Sequence, residues 1–438
     1  MNMLKCPLYN NAVKHPELNF IKGARTFTYL EFESYVQQIQ DLFSCYKPGQ
    51  VIASCCKNPP FFIALLIAAM RQKLIVLPIN FRLPQDQVDK VTKEVNAAYI
   101  FTGPISFDPD FKLSLKEAFA YSKSDPVTYL MTSGSASTPK ICVHTIGNHY
   151  YNALASNKFL QYTQDDAWLL SMPLFHVSGI SIIFRTLLAK ATIALASKDI
   201  AHDLLARSIT HLSCVNTQLL RLLKSPETLK DLKVILLGGS APSLDLVNKA
   251  KDLNLPLHTT YGLTEMASQV ATSTNAHGSL KVLDCAEVKI DSGNQILVRG
   301  QSLFSGYLIK GKIIPTTNTE GWLETGDLGE LEYGQLTVTG RSDNLFISGG
   351  ENIQPEEIEL SLQMYPGITE AIVVAKPHTE FGYVPAAFIK VDGDFNAADL
   401  KQFLEKKLPR FKIPKLFLPL NYNTLKPCRK TLKLSIEN

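Results

Sequence analysis

The chain has 438 residues, 45% of them hydrophobic and 19% charged, with 44 basic against 40 acidic side chains and a net charge of +4. This near-balance, with no long basic run, excludes a nucleic-acid binder held by phosphate charge, while the small positive excess suits small polyanionic ligands. Eight cysteines lie scattered through apolar segments with no Cys-x-x-Cys pair, the usage of reduced, mostly buried thiols in a cytoplasmic enzyme rather than a zinc site.

Met1 to Asn10 lacks the charged-then-apolar pattern of a secretory leader. Arg25 to Tyr29 reads as a strand, and Leu30, Tyr35, Ile39, Leu42 and Phe43 fall near one face of a helix. Phe61 to Met70 reads as a buried helix, and its apolar run is too short to cross a bilayer, so no stable membrane insertion is expected. Strands follow at Leu74 to Ile79 and Tyr99 to Thr102. From Val127 to Thr260 short apolar strands (Val127 to Met131, Trp168 to Met172, Thr192 to Ala196, Leu212 to Val215, Val234 to Leu237) alternate with helical stretches, which predicts a largely parallel sheet covered by helices. Beyond residue 285, turn signals at Asp291 to Asn294 and Tyr333-Gly334 separate antiparallel strand pairs. The tail after Asp343 reads as α+β, with helices from Pro355 and from Ala397 to Lys407, and strands near Ala371 to Val374 and Ala386 to Val391.

Several segments at strand ends carry chemistry. Val127 to Met131 feeds Thr132-Ser133-Gly134-Ser135-Ala136-Ser137-Thr138-Pro139-Lys140, where small residues admit backbone N–H groups to a phosphate and a lysine adds charge. Gly238-Gly239-Ser240 follows the strand Val234 to Leu237 and leaves room for a flat base. Tyr261-Gly-Leu-Thr264-Glu265 offers an aromatic face, a hydroxyl and a hard carboxylate of the kind Mg²⁺ prefers. Asp327, closing Gly321-Trp-Leu-Glu-Thr-Gly-Asp, suits a vicinal diol because one carboxylate accepts two donors. Taken singly, each has a plain structural alternative as a turn.

Together and in this order they resemble the acyl- and aryl-CoA synthetase superfamily, adenylate-forming enzymes with the signature Thr-Ser-Gly-Ser/Thr-Thr-Gly-x-Pro-Lys; Ala136 and Ser137 depart from it. The resemblance implies an α/β fold: a large N-terminal domain (residues 1–342) of parallel-type sheets with helices and a small antiparallel barrel-like part, then a small mobile α+β C-terminal domain (residues 343–438). It implies ATP, Mg²⁺ and coenzyme A, with Thr132, Ser133, Gly134, Ser135 and Lys140 at the phosphates, and Gly238, Gly239, Ser240 and Tyr261 at adenine. Thr264 and Glu265 would serve catalysis, Glu265 as magnesium ligand. Asp327 would hold the ribose and Arg341 the ribose or a phosphate, Asp343 would be the hinge, and Gly349-Gly350 would line the CoA tunnel. Lys426, spaced from Arg429 as in the family's Gly-Lys-x-x-Arg with Leu425 replacing the glycine, would relieve charge during adenylation; Lys430 is the alternative.

Pro173-Leu-Phe-His-Val-Ser-Gly179, Val143-His-Thr145, Thr217-Gln-Leu219 and Ser348 to Glu357 resemble the 2-succinylbenzoate–CoA ligase branch, which serves menaquinone biosynthesis. His176, Ser178 and Gln218 are then expected at the acyl pocket, His176 also in a catalytic role. Ser178, Gln218 and Arg185 are candidates to hold the acid's second carboxylate, although a single Arg such as Arg185 is more often an exposed helix residue. Another aryl- or acyl-CoA ligase, a carrier-loading module and an inactive binder remain open, as does self-association.

Overall fold

A computed structural model describes residues 3–115, 119–132, 140–242, 244–274, 279–393, 395–422 and 427–437. Ser133, Gly134, Ser135 and Lys426 lie outside the described residues. The chain divides into two units. The first comprises Met1–Ser240, Leu255–Glu287 and Val298–Leu323, and the second Ala241–Asn254, Val288–Leu297 and Glu324–Asn438.

Among the described residues the first unit holds, besides the short antiparallel pair Met3–Lys5 with Ala120–Ser122, two large sheets. In one, Ala97–Phe101, Val51–Ser54, Ile75–Pro78 and Pro126–Met131 run parallel, then Ile141–Thr145, Gly306–Ile309 and Lys312–Ile314 continue antiparallel. In the other, Leu257–Leu263, Val234–Leu237, His211–Cys214, Ala167–Leu170, Thr192–Leu195 and Asn19–Lys22 form a parallel run; it holds the strands expected from the alternation except Val127 to Met131, which pairs with Ile75–Pro78 in the first sheet. These strands are near-continuous Val, Ile and Leu, the composition of strands buried on both faces. The helix Pro59–Arg71 is apolar on every side, with all of Phe61 to Met70 buried and Asn58 capping it through the Phe61 N–H at 2.9 Å. Arg71 ends this helix in a two-point ion pair with Glu33 at 2.8 and 2.6 Å, both side chains fully buried.

The N-terminal strand is shorter than the sequence suggested. It covers Phe27–Thr28 only, because Thr28 and Glu31 form a reciprocal capping box that starts the helix Tyr29–Asp41 at Tyr29. Leu42, assigned to the apolar face, is 46% exposed just beyond that helix. The strand expected to reach Met172 stops at Leu170.

The second unit carries the hairpin Leu323–Glu332 with Gln335–Arg341, turning at Tyr333-Gly334, both at positive φ. Its α+β part has Glu351–Ile353, Phe346–Ser348, Gly382–Val391 and Ile368–His378 in antiparallel order, with Leu416–Pro419 parallel against Gly382–Val391. Helices Pro355–Gln363 and Ala397–Glu405 bury Ile358, Leu362, Leu400 and Leu404 with Val373 and Ile389.

Candidate active site

In the first unit the strands Pro126–Met131 and Ile141–Thr145, which flank the phosphate segment in sequence, pair antiparallel. The Thr132 N–H donates to the Lys140 carbonyl at 2.9 Å, joining the ends of the two strands. The Lys140 ammonium lies 4.8 Å from the centre of the Tyr307 ring, and the Tyr307 hydroxyl donates to Glu265 Oε1 at 2.6 Å. One strand therefore brings the sequence-predicted lysine and carboxylate together through a residue that sequence reasoning missed. Tyr307 reaches this place because Gly306–Ile309 pairs with Ile141–Thr145, setting Tyr307 opposite Cys142.

Thr264 and Glu265 occupy a short turn that ends at Ala267, in the left-handed region at φ 55°. The Ala267 N–H closes it on the Thr264 carbonyl at 3.0 Å, and the Phe304 N–H holds the Glu265 carbonyl at 2.8 Å. Just before the turn the ladder shifts register between Tyr261 and Gly262. Gly262 is required there, since a Cβ would lie 2.1 Å from the Ser268 carbonyl oxygen. Gly238-Gly239 follows its strand as expected, with Gly239 at φ 88°, and Asn216 Nδ2 lies 3.2 Å from Ser240 Oγ.

On the acyl side, His176 precedes the helix Val177–Ala189 without capping it. Its ring packs against Phe175 at 4.6 Å, and partial desolvation lowers its pKa from the ordinary histidine value. Gly179 lets this helix start close to the preceding turn, where a Cβ would meet the Pro173 oxygen at 2.3 Å. Gln218 turns its Oε1 to the Val215 N–H at 3.0 Å, capping the helix Asn216–Leu222. Among the described residues no hydrogen bond joins His176, Ser178 and Gln218.

Arg185 is not the exposed helix residue it resembles in the sequence. It is 1% exposed, stacks 5.0 Å from the Trp168 ring, and donates to Gln269 Oε1 at 2.8 Å and Ser268 Oγ at 3.3 Å. Its Nε has no partner among the described residues. Burial pulls its pKa down to about 9, which leaves it charged at neutral pH.

In the second unit, Asp327 and Arg341 face each other across the hairpin and pair at 2.6 Å. Arg341 also reaches Asp343 at 3.2 Å. Thr325 Oγ1 accepts the Asp327 N–H at 3.0 Å, orienting the carboxylate. Gly349 and Gly350 both have positive φ, 58° and 90°, and the Gly349 N–H donates to the Phe381 carbonyl at 3.0 Å.

Among the described residues no three His, Cys, Asp or Glu side chains converge into a metal cage. One hard carboxylate, Glu265, fits Mg²⁺ of the kind that arrives on substrate phosphates and keeps most of its ligands from them.

The family model for the AMP-binding enzyme matches residues 8–122 and 112–308, and that for the AMP-binding enzyme C-terminal domain matches residues 357–421. The 2-succinylbenzoate–CoA ligase of Salmonella typhimurium is 36% identical over 83% of this chain and 81% of its own length; that of Escherichia coli is 35% identical over the same shares. The solved Escherichia coli enzyme, bound to an analogue of its acyl-adenylate, aligns with a TM-score of 0.84 at 30% identity over 99% of both chains. O-succinylbenzoate CoA synthetase from Bacillus subtilis, in complex with its acyl-adenylate intermediate, aligns with a TM-score of 0.88 at 26% identity over 100% of this chain and 99% of that one. The same Bacillus subtilis enzyme has been solved with ATP and magnesium ion. Motif order, the joined Lys140, Tyr307 and Glu265, and these matches agree: the chain belongs to the AMP-binding enzyme family, among the 2-succinylbenzoate–CoA ligases.

Proposed function

We propose that this protein joins 2-succinylbenzoate to coenzyme A at the expense of ATP, as a step of menaquinone biosynthesis. In the first half-reaction the succinyl carboxylate oxygen attacks the α-phosphorus of ATP and the bond to pyrophosphate breaks. In the second, the CoA sulfur attacks the acyl carbonyl and AMP leaves. Magnesium bound with ATP would neutralise phosphate charge beside Glu265. Lys140 adds positive charge at the phosphates, Asp327 accepts from the ribose hydroxyls, and Lys426 relieves the repulsion between the two reacting anions. Residues from Asp343 onward act as a moving domain.

The observation that carries the substrate assignment is Arg185. A guanidinium removed from water needs a matched anion, and breaking such a match costs about 3–5 kcal/mol. Arg185 is buried, yet its hydrogen-bond partners among the described residues are the neutral Ser268 and Gln269. An acid with a second carboxylate supplies the missing charge; a monocarboxylic acid does not.

Incubation with ATP, Mg²⁺, CoA and single acids, read by mass, tests this. The CoA ester of 2-succinylbenzoate should form at least about 100-fold faster than that of 4-oxo-4-phenylbutanoate, which lacks only the ring carboxylate. Equal rates would remove the basis for the assignment.

A further inference from the structure

His144 ends the Lys140 side of the phosphate hairpin, on the strand Ile141–Thr145, and the helix Ile146–Leu160 continues from it. His144, Asn148, Asn152 and Ser156 recur at intervals of four, and along the helix that interval places side chains in one row. All four are buried, and each is hydrogen-bonded to the chain segments around Glu265. His144 Nε2 lies 2.7 Å from the Thr264 carbonyl. Asn148 Nδ2 donates to the Gln301 and Leu303 carbonyls at 3.1 and 2.7 Å. Asn152 Nδ2 donates to the Met266 and Gln269 carbonyls at 3.0 and 2.8 Å, and Ser156 Oγ to Gln269 Oε1 at 2.6 Å.

The positions that accept these bonds are what separates this row from ordinary core satisfaction. Thr264 and Met266 flank Glu265, and Leu303 precedes Phe304, whose N–H holds the Glu265 carbonyl. Both segments that fix Glu265 thus hang from the element that leaves the phosphate loop. A carbonyl only accepts, so His144 carries its proton on Nε2. Its Nδ1 has no partner among the described residues, so the one hydrogen bond that the ring makes among them goes to Thr264.

We infer that His144 is a positioning residue for adenylate formation: its Nε2–H fixes the Thr264 carbonyl, so that the Glu265 carboxylate keeps a constant place relative to Lys140. The inference rests on the reading of Glu265 as the magnesium carboxylate. It also makes the histidine's role separable from packing, because a leucine fills similar space without a donor, whereas a glutamine returns an N–H at similar reach.

The test uses the full-length enzyme and follows pyrophosphate release against Mg²⁺ concentration, with thioester formation from preformed acyl-adenylate measured separately. His144→Leu should raise the Mg²⁺ needed for half-maximal adenylation by about tenfold and slow that step to a similar degree, as removal of a supporting group does at metal sites. The thioester step should stay within about twofold, and His144→Gln should recover most of the loss. Wild-type Mg²⁺ dependence in His144→Leu, or equal loss in both half-reactions without recovery by glutamine, overturns the inference. If the leucine variant does not fold, His144→Asn, whose amide stops short of Thr264, replaces it with the same expected losses and the same overturning results. Glu265→Gln is assayed alongside. An unchanged Mg²⁺ response there removes the reading of Glu265 and the inference with it, whereas a large loss there beside a silent His144 variant removes the inference alone.

Discussion

Two polar clusters that the proposed function gives to the same nucleotide chemistry are built in opposite ways. Around Glu265 the supporting groups are neutral and mostly buried: the His144 imidazole, the Asn148 and Asn152 amides and backbone N–H groups, with the half-buried Tyr307 hydroxyl. Around Asp327 the supports are charged and wet, with the Arg341 side chain 46% exposed and that of Asp343 63% exposed. Buried neutral hydrogen bonds hold one geometry, since every alternative leaves a polar atom unsatisfied. Exposed ion pairs are worth little each and exchange partners readily. The first arrangement suits a metal carboxylate whose place must not vary. The second suits a ribose site and hinge whose partners must change during a catalytic cycle.

This contrast can be broken or sharpened by experiment. The largest effect is expected from Glu265→Gln, which keeps size and the Tyr307 contact but removes the charge. Adenylation should fall by about 10²–10³-fold with an unchanged melting temperature, as for loss of a preorganised electrostatic group. A variant that instead unfolds would assign Glu265 a structural role. Acid should next expose the cost of neutral burial. Desolvation holds His144 and His211 down to about 4, and burial together with His144 lowers His149 well below the ordinary value. Unfolded histidines bind protons near pH 6.5, so this contribution to stability is complete above that pH. It is lost as pH falls toward 4, by about 1.4 kcal/mol per pH unit for each histidine. Denaturant midpoints measured between pH 7 and 4.5 would show it, and a flat profile would mean that the rings are hydrated.

Tyr307→Phe removes one hydrogen bond to a carboxylate and leaves the ring under Lys140. About a tenfold loss in the adenylation rate is expected, visible in kcat more than in the KM for ATP. The smallest effect on stability should come from Asp343→Asn, under about 0.5 kcal/mol and vanishing in 1 M NaCl, because that pair is exposed. Its kinetic effect is the informative one. As a hinge residue it should alter thioester formation more than adenylation, and equal effects on both would argue against a pivot there.

Much of this was legible in the sequence where the signal is local. Apolar runs such as Val234–Leu237 and turn pairs such as Tyr333-Gly334 depend on neighbours alone and appear where they were expected. The order of Tyr261 to Glu265, Asp327 and Arg341 along the chain was equally plain. Tyr307 was not, because its meaning comes from pairing with Ile141–Thr145, far away in sequence. Arg185 was misjudged by residue type, although the apolar residues on all sides of Val177–Ala189 were a usable warning that this helix is buried. The Thr28 and Glu31 pair was a readable capping signal that went unused. The row from His144 to Ser156 is visible as a spacing, but nothing in the spacing says which carbonyls it meets.

The bond from the Thr132 N–H to the Lys140 carbonyl has an engineering consequence. It joins the two strands that flank, in sequence, the positions differing from the family signature, so a change at those positions leaves this bond and the paired strands intact. Restoring the signature with Ala136→Thr and Ser137→Gly would then retune the tempo of turnover while the thermal transition stays where it was. Diversification of catalytic speed among relatives would need no redesign of the surrounding sheet.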